Sequence, residues 1–519
     1  MKHFVRNGIW PSMALLAFIG CKGEKKSASQ ELPNVIFIYA DDIGYGDFSC
    51  NGYATVETPN VDRLAKDGIR FTNAHATAAT STPSRYSMLT GEYAWRREGT
   101  GIAAGDAGMI IRPERTTIAD MFKQAGYVTG VVGKWHLGLG DKAGTQDWNG
   151  TVTPGPKDIG FDYSYIMAAT GDRVPCVWMR DGKVVNLSPD DPIEVSYTTP
   201  FPGEPTYMTN PELATVMRPS PNHGHNQSII SGIPRIGYMK GGHSARWKDE
   251  TIGDSLLVNA LQFIGQNKQH PFFLYLGTND IHVPRVPHPR FVGKSGLGPR
   301  GDAILEFDYT VGKVLDLLDS LNIADNTLII LSSDNGPVVD DGYADKAWEL
   351  LGDHKPWGPY RGGKYSSFEA GTRVPCIVRW PQRVESGVSG ALVSQIDWFA
   401  SLASLIGIQL SDSVAPDSRN QIEAWLGKDL RGRDYVIEQS LNNNLSVISA
   451  DGWKYIQPNG GPTIEQYTKM ELGNNPQPQL YNMMKDPGET ENLAKTHPAI
   501  LEQMQKVIAD EQQRTTVVK

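Results

Sequence analysis

Asn34–Ala40, NVIFIYA, followed at once by Asp41-Asp42, is the stretch on which the fold turns. It is a run of branched and aromatic residues of strand length with no polar residue alternating through it. Such a strand is buried on both faces, as in a parallel sheet covered by helices. The same theme repeats outward from it. A helical pattern over residues 61–66 stops near Gly68, and a second over 117–125 ends at Gly126 in a left-handed cap and leads into an apolar strand at 127–132. Residues 252–264 carry a helical apolar stripe that feeds the strand PFFLYLG at 271–277; a helix near 303–321 then precedes TLIIL at 327–331. Strands alternating with helices predict an α/β domain built on a large, mostly parallel sheet sandwiched by helices.

Between residues 154 and 243 the chain is rich in Pro, Gly, Asn and His and weakly periodic, which reads as long loops decorating one face. Near residue 430 the pattern changes to short alternating strands at 435–438, 445–449 and 453–456, and then to a terminal helix at 498–513. This predicts a smaller C-terminal antiparallel sheet with one helix. The expected organisation is an export signal at 1–20, a linker at 21–31, a main domain at 32–430 and an α+β subdomain at 431–519.

The start of the chain reads as that signal. Lys2 and Arg6 precede the short apolar core MALLAFI, then Gly20-Cys21 and a polar stretch. A small residue followed by Cys resembles a bacterial lipobox, so Cys21 is the expected lipidation site and the lipid the only expected membrane attachment. The protein is then an exported lipoprotein of the periplasm, outer membrane or cell surface. The remaining cysteines, Cys50, Cys176 and Cys376, are widely spaced and odd in number, which argues against a disulfide framework or zinc knuckle. With 519 residues the chain can bury a large core, and a formal charge of −9 offers no basic footprint for nucleic acid.

The polar residues that carry chemistry stand where strands end. Asp41-Asp42 follows the first strand, Lys134 and His136 the second, His282 the third and Asp334-Asn335 the fourth. In open α/β sheets ligands bind beyond the carboxyl ends of strands. Each such residue alone fits a helix cap or turn. Four strands delivering acids, amides, a lysine and histidines to one edge point instead to a site. Asp41, Asp42, Asp334 and Asn335 are hard oxygen donors, which suit Ca²⁺ or Mg²⁺ rather than zinc.

Residues 80–91, TSTPSRYSMLTG, add the decisive motif: Ser81-Thr82-Pro83-Ser84-Arg85 followed by Leu89-Thr90-Gly91. It resembles the signature of the formylglycine-dependent sulfatases, members of the alkaline phosphatase superfamily, in which a Cys or Ser precedes x-Pro-x-Arg and is oxidised to Cα-formylglycine. The resemblance covers essentially the whole mature chain. It implies Ser81 as the modified nucleophile and Arg85 as its hydrogen-bonding neighbour. Asp41, Asp42, Ser81, Asp334 and Asn335 become ligands of a Ca²⁺ cofactor. Lys134 and Lys364 become sulfate-binding lysines, and His136 and His282 catalytic histidines. Glu369, the segment GTRVP at 371–375, Leu480-Tyr481-Asn482 and Glu489 also look like family sequence and are expected to be structural. Serine at position 81 implies maturation by an iron–sulfur radical enzyme as partner, and an unmodified serine is a poor nucleophile.

In the implied chemistry the aldehyde hydrates to a geminal diol and one hydroxyl attacks sulfur. His282 protonates the leaving sugar oxygen, and His136 takes the proton from the second hydroxyl as sulfate departs. A helix starting at Ser84 would add its N-terminal amides. Gly171-Asp172-Arg173-Val174-Pro175 looks like a segment of the branch acting on 6-sulfated galactose or N-acetylgalactosamine, where Asp172 and Arg173 hold an axial hydroxyl. His354 is a further substrate-binding candidate. His223, His225 and His288 lack such context. A 4-O- or 3-O-sulfatase, a phosphoester or phosphonate hydrolase of the same superfamily, and a non-catalytic lipoprotein binding sulfated glycan remain open alternatives.

Overall fold

The computed structural model describes residues 32–221, 223–441 and 443–514. The signal, Cys21 and the linker at 21–31 lie outside the described residues. Among the described residues no helix is long and apolar enough to cross a membrane.

The strand Asn34–Ala40 is entirely buried and sits at the centre of a ten-stranded sheet. On one side it pairs in parallel with Thr327–Ser333, and on the other with Phe272–Gly277, which pairs in parallel with Val128–Lys134 and that in turn with Tyr163–Met167. Each of the first four strands is almost wholly buried because helices cover both faces. Among those helices are Pro59–Lys66, Ile118–Gln124, Ile252–Asn267 and Gly298–Ser320. Thr117 caps Ile118–Gln124 by accepting from the Asp120 N–H, while the Asp120 side chain reaches back to the Thr117 N–H, closing both ends of the first turn. Gly126 follows with φ 85°, the left-handed stop expected from its position. The mixed edges are Cys376–Arg379, Ile69–Phe71 and Gly387–Ser389 on one flank, and Trp178–Arg180 with Lys183–Val184 on the other.

The expected architecture is thus the observed one, with one refinement. The segment read as loops supplies three strands of the main sheet, Tyr163–Met167, Trp178–Arg180 and Lys183–Val184. They are short and interrupted by turns, so no period-two run long enough to register builds up in the sequence. The C-terminal strands Tyr435–Gln439, Leu445–Ser449, Trp453–Ile456 and Gln479–Asn482 form a separate antiparallel sheet covered by the helix Pro498–Gln513. Its apolar face, with Ile437, Val447, Tyr455 and Leu480, packs with Met504 and Ile508 of that helix and with Tyr93 and Ile396 into one core. Cys50, Cys176 and Cys376 are all free thiols.

Candidate active site

The parallel register brings the strand ends together. Ala40 pairs with Ser333, and Gly277 with Gly133, so Asp41-Asp42, Asp334-Asn335 and Lys134 emerge side by side at one rim. Gly133 has φ 115°, and a Cβ there would lie 1.7 Å from the Gly277 carbonyl oxygen. Only glycine lets the two strands close up just before Lys134. Asp42 and His136 also hold positive φ, 61° and 56°. Non-glycine residues in this region cost energy and cluster where side-chain aim matters.

Ser81 opens the helix Ser81–Thr90 rather than preceding it by a turn, which corrects the expected start at Ser84. Thr80 is extended, and the chain turns helical at Ser81 itself, with Pro83 accommodated in the first turn, where no N–H is required of it. The Ser81 hydroxyl donates to Asp334 Oδ2 at 2.7 Å and accepts from Lys134 Nζ at 2.7 Å. Lys134 also reaches Asp41 Oδ1 at 2.7 Å. Arg85, one turn along the helix and fully buried, donates from Nε and Nη2 to Asp334 Oδ2 at 3.1 and 2.8 Å and from Nη1 to the Tyr275 hydroxyl at 2.7 Å. On the other side Lys364 Nζ bridges Asp42 Oδ2 (2.8 Å) and Asp341 Oδ2 (2.7 Å), and Asn335 Nδ2 donates to Asp42 Oδ1 at 2.8 Å.

Electrostatics follow from this crowding. Burial pushes the Asp334 carboxyl up, but Arg85, Lys134 and the Ser81 hydroxyl overcome it and hold the group well below the usual carboxylate range. Asp41 goes the other way: burial, together with Asp334 and Asp42, outweighs Lys134 and raises it well above its ordinary value. Two oxygens, Asp41 Oδ2 and Asn335 Oδ1, are buried without a hydrogen-bond partner. Ligand atoms of Asp41, Asp42 and His282 lie within 4.8 Å of one another. Orphaned hard oxygens beside three crowded carboxylates fit a hard cation held by Asp41, Asp42, Asp334 and Asn335.

The two histidines differ. His136 Nε2 lies 3.0 Å from the Ala103 carbonyl oxygen, to which it donates, and Nδ1 is buried without a partner. Burial, then the positive charges of Lys134, Arg173 and Arg85, hold its pKa well below the usual imidazole value, so it is neutral with a free lone pair on Nδ1. His282 donates from Nδ1 to the Val283 carbonyl at 2.8 Å, leaving Nε2 3.9 Å from Asp42 Oδ2. Burial and Lys364 outweigh Asp42 and bring it to about 4.

Ser81, His136, Asp172, Arg173, His282 and Lys364 line one cavity of about 170 Å³. Asp172 accepts from Arg173 Nη1 at 3.3 Å and from His225 Nε2 at 2.9 Å; burial raises its pKa, but these partners hold it well below the usual carboxylate range. His354 does not join this group, a correction of the sequence expectation. It is buried with Nε2 2.8 Å from Asp47 Oδ1 and with Nδ1 accepting the Thr55 N–H at 3.1 Å, so both ring nitrogens are consumed by the scaffold. Three polar cavity residues carry no assignment in the sequence reading: Asp341, Tyr365 and Tyr467. His223 and His225, for which the sequence alone offers no role, also stand at the wall. The only local signals were the closely spaced His223 and His225 and the acid pair Asp340-Asp341.

Residues 33–408 match the sulfatase family model. The chain is 54% identical over 499 residues to the N-acetylgalactosamine-6-O-sulfatase of Bacteroides thetaiotaomicron, covering 96% of this chain and 97% of that protein. It is 28% identical to human steryl-sulfatase over 97% of this chain and 91% of that one. A solved B. thetaiotaomicron sulfatase, from work on the metabolism of multiple glycosaminoglycans, superposes with a TM-score of 0.91 at 55% identity, over 93% of this chain and all of the other.

Proposed function

Because the chain belongs to the sulfatase family of sulfuric ester hydrolases, we propose that it removes 6-O-sulfate from galactose or N-acetylgalactosamine in glycans, with position 81 as formylglycine and Ca²⁺ as cofactor. The observation that carries this reading is the placement of the Ser81 hydroxyl 2.7 Å from both Lys134 Nζ and Asp334 Oδ2, beside the unpartnered oxygens of the Asp41 carboxylate and the Asn335 amide.

Asp41, Asp42, Asp334, Asn335 and residue 81 would hold the cation, which supplies Lewis-acid stabilisation of negative oxygen. The chain's own groups do the rest. Lys134 and Lys364 neutralise charge on the sulfuryl oxygens as the hydrated residue 81 attacks sulfur and the sulfur–sugar-oxygen bond breaks. Arg85, locked by Asp334 and Tyr275, keeps residue 81 aimed. His282 donates the proton to the leaving sugar oxygen. It acquires that proton as the substrate's negative charge, entering beside Lys364, offsets the burial and the Lys364 repulsion that hold its pKa down. His136, neutral with Nδ1 free, accepts the proton of the second hydroxyl, so that sulfate is expelled and the aldehyde restored. Asp172 and Arg173 offer an acceptor and a donor to one sugar hydroxyl, consistent with the relative named for N-acetylgalactosamine. The reading includes export as a lipoprotein anchored at Cys21, to the periplasm or cell surface, and maturation by a radical enzyme.

Protein co-produced with such an enzyme should yield a residue-81 peptide lighter by two hydrogen atoms and should turn over 6-sulfated galactose or N-acetylgalactosamine. Ser81→Ala should abolish turnover with an unchanged melting profile. Retained activity in that variant, or a strong preference for matched phosphate esters, refutes the proposal.

A further inference from the structure

The catalytic cavity, at about 170 Å³, is smaller than ordinary ligand pockets of some 300–1,000 Å³, so it takes the sulfated sugar and little more. It does not end blindly. His223 and Tyr467 form its outer wall and also the near wall of a second hollow of about 350 Å³. That hollow shares Trp348 and Lys469 with a third, of about 390 Å³, which Trp357 also lines. Aromatic rings run along this path. His225 stands 5.3 Å from His223, His223 stands 5.0 Å from Tyr467, and Trp348 stands 6.3 Å from Trp357. Trp348 is 45% and Tyr467 43% exposed, large apolar faces left open on both sides of the second hollow.

We infer that this ring-lined cleft is an extended glycan subsite, in which the sugars attached to the sulfated residue lie over Tyr467 and stack on Trp348. The inference rests on the carbohydrate sulfatase reading above and deepens it: the preferred substrate is an oligosaccharide rather than a monosaccharide. The chemistry suits sugar rings, whose C–H faces pack on exposed aromatic planes while their hydroxyls stay wet. Charge does not select a polyanion here, because the lysines Lys346 and Lys469 share the lining of this hollow with the acids Asp340 and Glu349, while Asp345 is already paired with Arg285. Recognition along the cleft is therefore insensitive to salt.

The test compares kcat/KM of the matured enzyme on a 6-sulfated monosaccharide with that on an oligosaccharide ending in the same sulfated sugar. In the native enzyme the ratio favours the oligosaccharide. In Trp348→Ala this preference should drop by about tenfold, Trp348→Phe should restore most of it, and the native ratio should hold from low to high salt. Equal loss on both substrates in Trp348→Ala, no loss on either, or a ratio that collapses with salt overturns the subsite. Failure of the native enzyme on every sulfated sugar overturns instead the function on which it rests.

Discussion

Replacing Glu489 by Gln should stabilise the protein, and by more as the pH rises. Glu489 is fully buried behind the C-terminal sheet. Its Oε2 accepts the Glu369 N–H at 2.8 Å, while Oε1 has no partner. Burial drives the carboxyl up, Lys454 draws it partly back, and the negative Glu369 adds to the rise; it comes to rest at about 8, against an ordinary 4.5. Between those values the folded protein keeps a proton that the unfolded chain has released. Stability therefore declines as pH rises past 4.5 and stops declining above 8. The slope is about 1.4 kcal/mol per pH unit, or about 4 kcal/mol between pH 5 and 8. A glutamine cannot ionise and keeps the acceptor for the Glu369 N–H. In a chain of this length roughly 1 kcal/mol corresponds to one degree of Tm. The Tm advantage of Glu489→Gln should thus widen by about 4 °C from pH 5 to pH 8, read by thermal melts at one fixed scan rate. Parallel Tm–pH curves, or a gap that narrows with pH, refute the argument.

Three further outcomes follow from the site. Lys364→Ala leaves buried Asp42 and Asp341 without their cation and should cost about 3–5 kcal/mol of stability as well as activity; a variant that melts like the native protein would show that this pairing contributes nothing. Removing divalent cations with a chelator should lower Tm, and restoring Ca²⁺ at about a hundredfold excess over its Kd should return about 3 kcal/mol; an indifferent Tm counts against a cation at Asp41, Asp42, Asp334 and Asn335. His136→Ala should reduce kcat by about 10²–10⁴-fold and leave sulfated residue 81 visible in intact-mass spectra after substrate addition. Loss of kcat without that adduct would move His136 to an earlier step.

The sequence by itself determined the parallel sheet and the rim it builds. Buried parallel strands have to be continuous apolar runs, and the residues that close those runs have nowhere to go but the carboxyl edge. Asp41, Lys134, His282 and Asp334 were legible for that reason, and Ser81 because its motif is contiguous. Tertiary structure alone decided what stands around them. His225 meets Asp172, and Asp341 meets Lys364, through loops with no period to read. His354, with a plausible position in the sequence, is spent on Asp47 and Thr55. A loop side chain's partner is set by long-range packing and by which buried polar groups still need a hydrogen bond, and local spacing carries neither.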